Sequence, residues 1–388
     1  YITKSDKTTG NDPVAWTMSS YATWQTVNFI HDLPKPENVT AVQNTYIKGQ
    51  FMNLKTATAN DNTSLVNGYP SIIDVPSFID FMIMNEFASN VDGYQNSTYF
   101  HKDRNGKLRA GPIWDFNLTY GNDLFIYGFD RSHTDLWQFD NDDNDGAKFW
   151  KDLFDEPTYK CYLSKRWAEM TAAGKPLNFS YISTFIDNTV SYISAAAVRE
   201  NEKWGTVPNQ AADIADMKAW IAQRISWINS QLPAYTACNN VAIPALVITR
   251  INYNPSTNST FTVSNDQEFI EIKNAGTTTV NLTGIYFRGT GLVYQFPANQ
   301  TLAAGASVML ASNTAVFQSK YGFAASGQFT RNLSNSNQDL VLADGFGNMI
   351  DHVHYYDSAP WPNADGNGYF CKGAATGSYY DSYPFVFI

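Results

Sequence analysis

Between residues 90 and 123 the chain reads NVDGYQNSTYFHKDRNGKLRAGPIWDFNLTYGND, and the residues that could do chemistry are concentrated there. TYFHK and KLRAG flank Asp103-Arg104-Asn105-Gly106, a turn-prone run that closes a β-hairpin. Asp92 stands just before the hairpin, with Asn96 and Ser97 four and five residues on; Trp114-Asp115-Phe116-Asn117 stands just after it. Such a layout suits phosphoryl transfer. One carboxylate orients the attacking hydroxyl or accepts its proton, and a second holds the Mg²⁺ that bridges the phosphates and offsets their charge. A rigid hairpin sets the distance between the two loops. Asp92 would be the first group and Asp115 the metal ligand. Asn96, Ser97 and Asn117 would be auxiliary oxygen donors.

A loop carboxylate, a short hairpin and a second carboxylate in an Asp-Phe pair is also the active-site order of protein kinases. Spacing alone leaves an ordinary alternative open, since Asp at a hairpin end commonly serves as a turn or cap residue. The elements that must position these loops are read from periodicity. DVPSFIDFMIMNEFA (74–88) predicts a helix capped by Asp74, with Pro76 in its first turn. Trp150, Leu153, Phe154, Leu163 and Trp167 predict one or two helices within 149–170, and Ile182, Phe185, Ile186, Val190, Ile193 and Ala197 another. Ile214, Met217, Ile221, Ile225, Ile228 and Leu232 form a full helical stripe that Pro233 stops.

After Cys238-Asn239-Asn240 the period changes from 3.6 to 2. Runs at 246–253, 268–274, 279–287, 307–312, 339–344 and 349–356, separated by Gly, Asn and Pro turns, predict a β-sandwich. The boundary falls at 236–245. The 388 residues, 44% of them hydrophobic, suffice for two globular domains. A net charge of −10 argues against a basic nucleic-acid groove spanning the molecule. No apolar run approaches the roughly 20 residues of a membrane helix. Beginning at Tyr1 without a basic and apolar leader, the chain reads as processed or partial. Its polar, Lys-poor, aromatic-rich composition suggests an exported protein, in which Cys161 and Cys238 are the candidate disulfide pair and Cys371 the third cysteine. Three buried thiols are the alternative.

YITKSDKTTG (1–10), LPKPENVTAVQNTYI (33–47), IIDVPSFIDFMIMNEFASNVDGYQNSTYFHKD (72–103), GKLRAGPIWDFNLTYGN (106–122) and WIAQRISWINSQLP (220–233) together resemble the CotH (spore coat protein H) kinases, specifically the bacterial branch fused to a lamin-tail domain. The resemblance implies an atypical protein-kinase-like C-terminal lobe, mainly helical with a hairpin, over residues 1–235. It further implies secreted, Mg²⁺- and ATP-dependent phosphoryl transfer to protein substrates, with Asp92 and Asp115 at the family's essential acidic positions. Many members carry Asp-x-Asp where this chain has Asp115-Phe116-Asn117. Asn still offers Mg²⁺ an amide oxygen, without the charge, so metal affinity should be lower. Members also have strands and a phosphate-contacting basic residue ahead of the position of Tyr1, which neither Lys4 nor Lys7 obviously replaces. The expectation is therefore a nucleotide-binding lobe that is incomplete within this chain.

LVITRINYNP (246–255), DQEFIEIKNAG (266–276), VNLTGIYF (280–287), LAAGASVMLASN (302–313) and residues 337–368 resemble a lamin-tail domain. This implies a non-catalytic immunoglobulin-like sandwich over 246–368; residues 369–388 are unassigned. Elsewhere, Asp140, Asp142 and Asn144 take calcium-loop positions, but Asp145 stands at the required Gly and Lys151 at the bidentate Glu, which favours a solvated acidic loop. His352 and His354 share a strand face that zinc could exploit, with no third ligand evident. Asn38, Asn62, Asn96 and Asn258 open Asn-x-Ser/Thr triplets explained by chance in an Asn-rich chain. Asp357-Ser358-Ala359 offers an O-glycan acceptor, and Trp361 a ring for stacking on sugar or peptide.

The favoured reading is an exported, surface-associated kinase-like protein, extracellular or on a bacterial cell surface, whose intact parent acts with Mg²⁺-ATP on a protein hydroxyl. Its main rival is a catalytically silent adhesin or assembly module with a glycan or protein partner. A third reading is export cargo whose sorting signal lies beyond Ile388.

Overall fold

The computed structural model describes the chain except residues 9–11, 23–24, 123–131, 142–143, 145, 290, 359–360, 362–369, 373–384 and 388; of residues 370–372 and 385–387 it describes the backbone alone. It opens with strands β1 (Ile2–Ser5), β2 (Trp16–Ser19) and β3 (Thr26–Leu33), then helix α1 (Ala41–Ala59). A single turn, α2 (Tyr69–Ile72), precedes α3 (Val75–Ala88) and the hairpin β4 (Thr98–His101) and β5 (Arg109–Ala110). Helices α4 (Phe149–Asp155), α5 (Pro157–Thr171), α6 (Phe179–Trp204) and α7 (Gln210–Gln231) follow, then the turn α8 (Thr236–Asn239). These residues form two compact units. One is Tyr1–Thr63, Pro76–His101 and Arg109–Val241; the other is Ser64–Val75, Lys102–Leu108 and Ala242–Ile388.

In the first unit the hairpin is the edge of a five-stranded antiparallel sheet in the order β2-β3-β1-β4-β5, where sequence periodicity had predicted helices and a hairpin alone. The aromatic content explains what holds it. Phe100 of β4 meets Phe29 of β3 (6.0 Å between centroids), Phe51 of α1 (5.2 Å) and Trp150 of α4 (5.9 Å), all essentially buried. Trp150 in turn packs on Phe78 and Phe81 of α3 at 5.1 and 5.4 Å. Interlocking rings of this kind restrict sliding more than aliphatic packing does, because offset and edge-on contacts have preferred geometry. The hairpin root and the first half of α3 are therefore anchored to one core.

The helix ends are written in local chemistry. Thr40 and Gln43 form a reciprocal capping box on α1. The Glu156 carboxylate caps α5 by accepting from the amides of Thr158 and Tyr159, with Pro157 at the first position. Asn178 caps α6, and Gly205 ends it in the left-handed region at φ 64°. Between 149 and 170 there are two helices, broken at Glu156-Pro157. Cys161 and Cys238, the candidate pair, are joined as a disulfide across 77 residues. No described helix is long and apolar enough to cross a membrane.

The second unit contains β6 (Leu246–Asn252), β7 (Phe269–Asn274), β8 (Val280–Asn281), β9 (Tyr286–Arg288), β10 (Thr301–Leu302) and β11 (Ser307–Ala311). Helix α9 (Thr314–Tyr321), β12 (Gly327–Gln328), β13 (Asn337–Ala343), β14 (Met349–Tyr356), β15 (Phe370–Lys372) and β16 (Phe385–Phe387) complete it. A six-stranded sheet, β12-β11-β7-β6-β15-β16, and a three-stranded sheet, β14-β13-β9, bury one shared core that includes Ile248, Ile270, Ile272, Leu310, Leu340, Leu342 and Tyr355. The run expected at 279–287 is two strands. Asn281 accepts from the Thr283 amide, and Gly284 at φ 77° turns the chain between them. Trp361 is half-buried against this core.

One buried group of this unit should make its stability depend on pH. The Glu268 side chain is fully buried; its Oε2 accepts from the Leu333 amide at 2.8 Å, and Oε1 has no hydrogen-bond partner among the described residues. Burial pushes its carboxyl up to about 7 from an ordinary 4.5, against the smaller pull of the Leu333 amide. The folded unit thus keeps a proton that the unfolded chain releases, so stability falls as pH rises from 4.5 to 7. The loss should reach about 3 kcal/mol, and Glu268→Gln should remove that slope in urea unfolding. Equal slopes in the two proteins would refute the assignment.

Candidate functional site

Helix α3 delivers the chain to the first loop, and buried polar side chains hold that delivery in place. Asn85 donates to the Phe81 carbonyl and accepts from Asn90 at 3.0 Å, while the Asn90 Oδ1 accepts from the Asp92 amide at 3.2 Å. Gly93 lies so close to Asn85 that a Cβ there would stand 2.7 Å from its Oδ1, so no larger residue fits without displacement. The Gly93 carbonyl accepts from Asn144 and the Tyr94 carbonyl from Ser5 of β1. Within the loop, the Asn96 amide donates to the Asp92 carbonyl at 3.0 Å, and the Asn96 side chain reaches the Asp92 Oδ1 at 3.4 Å. Asp92 and Asn96 are half-buried.

The second loop leaves β5 through Gly111 at φ 113° and runs outward. Trp114, Asp115 and Asn117 are exposed. Asp115 adopts φ 61° and Ser97 φ 49°, conformations that non-glycine residues adopt sparingly and that cluster at functional sites. Two backbone bonds tie the loops together: the Tyr120 amide donates to Ala88 at 2.8 Å, and the Val91 amide to Leu118 at 3.4 Å. At the mouth of the pair, the Ser97 hydroxyl donates to the Asp115 Oδ2 at 3.4 Å. The fold thus places Asp92 with Asn96 and Ser97 with Asp115, at consecutive positions of one loop facing the other. Asn117 stands two residues from Asp115; its carbonyl accepts from Asn122, and its side chain makes no hydrogen bond among the described residues.

These donors are carboxylate, amide and hydroxyl oxygens, the set Mg²⁺ prefers. No cluster of three or more acidic, His or Cys side chains able to hold a metal exists among the described residues. One carboxylate, such as that of Asp115, is nonetheless within the usual protein share of a Mg²⁺ site that draws its other ligands from phosphates and water. Lys4, on the strand paired with β4, is engaged by Asp6 at 2.9 Å; Lys7 is exposed.

Beneath the first loop lies a pair that periodicity did not single out. Arg224 takes a place in the buried stripe of α7 between Ile221 and Ile228, with Ile225 turned to the flank. Its guanidinium donates to the Glu86 carboxylate at 3.1 Å, to the Glu86 carbonyl at 2.8 Å, and to the carbonyls of Thr134 and Leu136. Glu86 also accepts from the amides of Gln138 and Phe139, and Gln138 donates to Ser89. Burial raises the Glu86 carboxyl above its usual range, with Arg224 and the two amides opposing it. A signal existed in the chain: Arg224 and Glu86 each interrupt an otherwise apolar helical face.

The other candidates take structural positions. Asp140 pairs with Lys151 at 2.8 Å, and Asn144 is turned inward onto Gly93, while Asp142 and Asp145 lie outside the described residues. His352 Nε2 and His354 Nδ1 both face the Oδ1 of Asp339, at 2.6 and 2.9 Å. Ala359, needed for the O-glycan motif, lies outside the described residues, and the side chain of Cys371 is likewise undescribed.

Residues 7–228 match the family model described as CotH kinase protein, and residues 240–357 match the one described as Lamin Tail Domain. No curated protein matches the chain. Among solved structures, the chain is similar to a DUF4876 family protein from Bacteroides thetaiotaomicron, with 20% identity, 36% of this chain and 45% of that chain covered, and a TM-score of 0.19. The chain thus spans less than half of that protein's length.

Proposed function

The chain belongs to the CotH kinase protein family, and from that premise we propose that the intact protein is an exported kinase-like protein transferring a phosphoryl group from Mg²⁺-ATP to a protein hydroxyl. The observation that supports this best is the Ser97–Asp115 contact, which joins the two acidic loops at one exposed mouth. Asp115 and Asn117 would hold the metal, with Asn96 and Ser97 as further oxygen donors. Mg²⁺ when bound would bridge the phosphates and offset their charge. Asp92, oriented by its bonds to Asn90 and Asn96, would accept or direct the proton of the acceptor hydroxyl. The disulfide supports an extracellular or cell-surface setting, since such bonds persist in oxidising compartments. The kinase-like domain is assigned to 1–235 and the lamin-tail sandwich to 246–368.

The rival is a silent module binding a surface glycan or protein. It is favoured by the uncharged Asn117 and by Lys4, whose ammonium is already paired with Asp6. Calorimetry separates the two. The enzyme reading expects ATP binding that needs Mg²⁺ and disappears with chelator. Absence of nucleotide binding by the full-length protein, or binding indifferent to chelator, would refute it and move the weight to the binding module.

A further inference from the structure

Helix α6 has no buried residue along its 26 positions. One side, with Ile182, Ile186, Val190 and Ala197 half-buried, runs beside α7. A second side, about 125° around the helix, carries Tyr181, Phe185, Tyr192, Arg199 and Lys203, spaced 4, 7, 7 and 4 residues apart. At 100° per residue these five fall within about 20° of one line, over about 33 Å of helix. They are exposed, Tyr181 by 50%, Phe185 by 64% and Tyr192 by 91%, far more than aromatic rings ordinarily are. No carboxylate shares the line. Asp187 lies about 140° away, bonded to Lys218 of α7 at 2.6 Å, while Glu200, which accepts from Thr206, and Glu202 lie about 80° to either side. A cationic, aromatic stripe on a chain of net charge −10 is an exception to its surroundings.

The spacing is a palindrome about Tyr192, and its two arms are chemically complementary. Laid antiparallel against a second copy with a two-fold axis through Tyr192, each Phe185 faces Arg199 of the second copy, and each Tyr181 faces Lys203. Both are cation–π pairings, and each occurs twice. Asn188 then faces Ala196, whose small side chain lets the helices approach. Lys203 already rests 4.7 Å from the ring of its neighbour Trp204, so its ammonium is compatible with an aromatic face. A patch that matches its own image under a two-fold rotation is what an isologous contact requires. We propose that this face of α6 is a homodimer interface, with a second copy of this chain as its occupant.

Sedimentation of the whole chain over a micromolar concentration series tests the proposal. The wild type should dimerise, and Tyr192→Glu, which sets two carboxylates against each other on the axis, should weaken association at least about tenfold. Phe185→Arg should weaken it similarly by opposing Arg199 of the second copy. Adding Arg199→Phe should then restore the dimer, an exchange that a parallel or unrelated contact would not rescue. All these positions are exposed, so melting temperatures should stay within the small range of surface substitutions. A wild type that remains monomeric, a dimer indifferent to Tyr192→Glu, or an exchange that fails to restore association would each overturn the proposal.

Discussion

Asp115→Asn should lower Mg²⁺-dependent phosphoryl transfer at least about 100-fold while leaving the melting temperature nearly unchanged. Asn is the informative replacement because it keeps the shape and tolerates the left-handed backbone that Asp115 adopts at φ 61°. It removes only the charge, and with Asn117 beside it the second loop would then offer the metal no anionic ligand. Asp115 is exposed and Ser97 is its one side-chain partner among the described residues, so little of the fold depends on it. Asp115→Ala should lose activity equally but cost about 1–2 kcal/mol more stability, since Ala resists positive φ. The measurements are phosphorylation rate against Mg²⁺ concentration and a thermal melt. Retained activity in the Asn variant would remove Asp115 from the chemistry. A large loss of stability would make it a structural residue.

Arg224→Met should show the opposite behaviour: a loss of about 3–5 kcal/mol of stability, with any loss of activity following from it. The Arg224 side chain is 0% exposed and that of Glu86 3%, so removing the guanidinium leaves a buried carboxylate without its countercharge and takes a donor from the Thr134 and Leu136 carbonyls. The deficit should depend on pH in a defined sense. Without Arg224, burial raises the Glu86 carboxyl further, and the folded state holds a proton that the unfolded chain releases. Stability of the variant should therefore fall further as pH rises from the ordinary carboxylate range towards neutrality. Glu86→Gln with Arg224→Met should recover part of the loss, because the stranded charge is gone. Urea unfolding of the two variants at pH 5 and 8 decides it. A deficit that is flat with pH, or below about 1 kcal/mol, would mean that the pair does not act as a unit.

The strands of the sandwich and the long helices were legible because each carries its period over enough residues to be counted. Helix α3 and the strands β6, β7 and β11 lie within two residues of their expected limits. The first sheet was not legible for the complementary reason: β1 and β2 have four residues each, too few for alternation to stand out. Helix α1 hides behind Gly49 and several β-branched residues that weaken its propensity. Its signal was nevertheless present in Thr40 and Gln43 of the capping box and in Ile47, Phe51 and Leu54, which line its buried side. In the candidate site, the residues of both loops were legible from their order along the chain. Their support was not. Asn144 reads as one more polar residue in an acidic run, and only the fold turns it onto Gly93.

The covalent bond between Cys161 and Cys238 has a topological consequence for the arm made by α6 and α7. The two half-cystines lie at the feet of this arm, so everything from the last turns of α5 to α8 is a closed ring. A protease meeting the solvent-facing connection at 205–209 would open the ring without releasing either piece. The cleaved molecule would persist as two chains held by one bond, coming apart under reductant and denaturant together. Helix α6, which has no buried residue of its own, is thereby secured against loss by nicking.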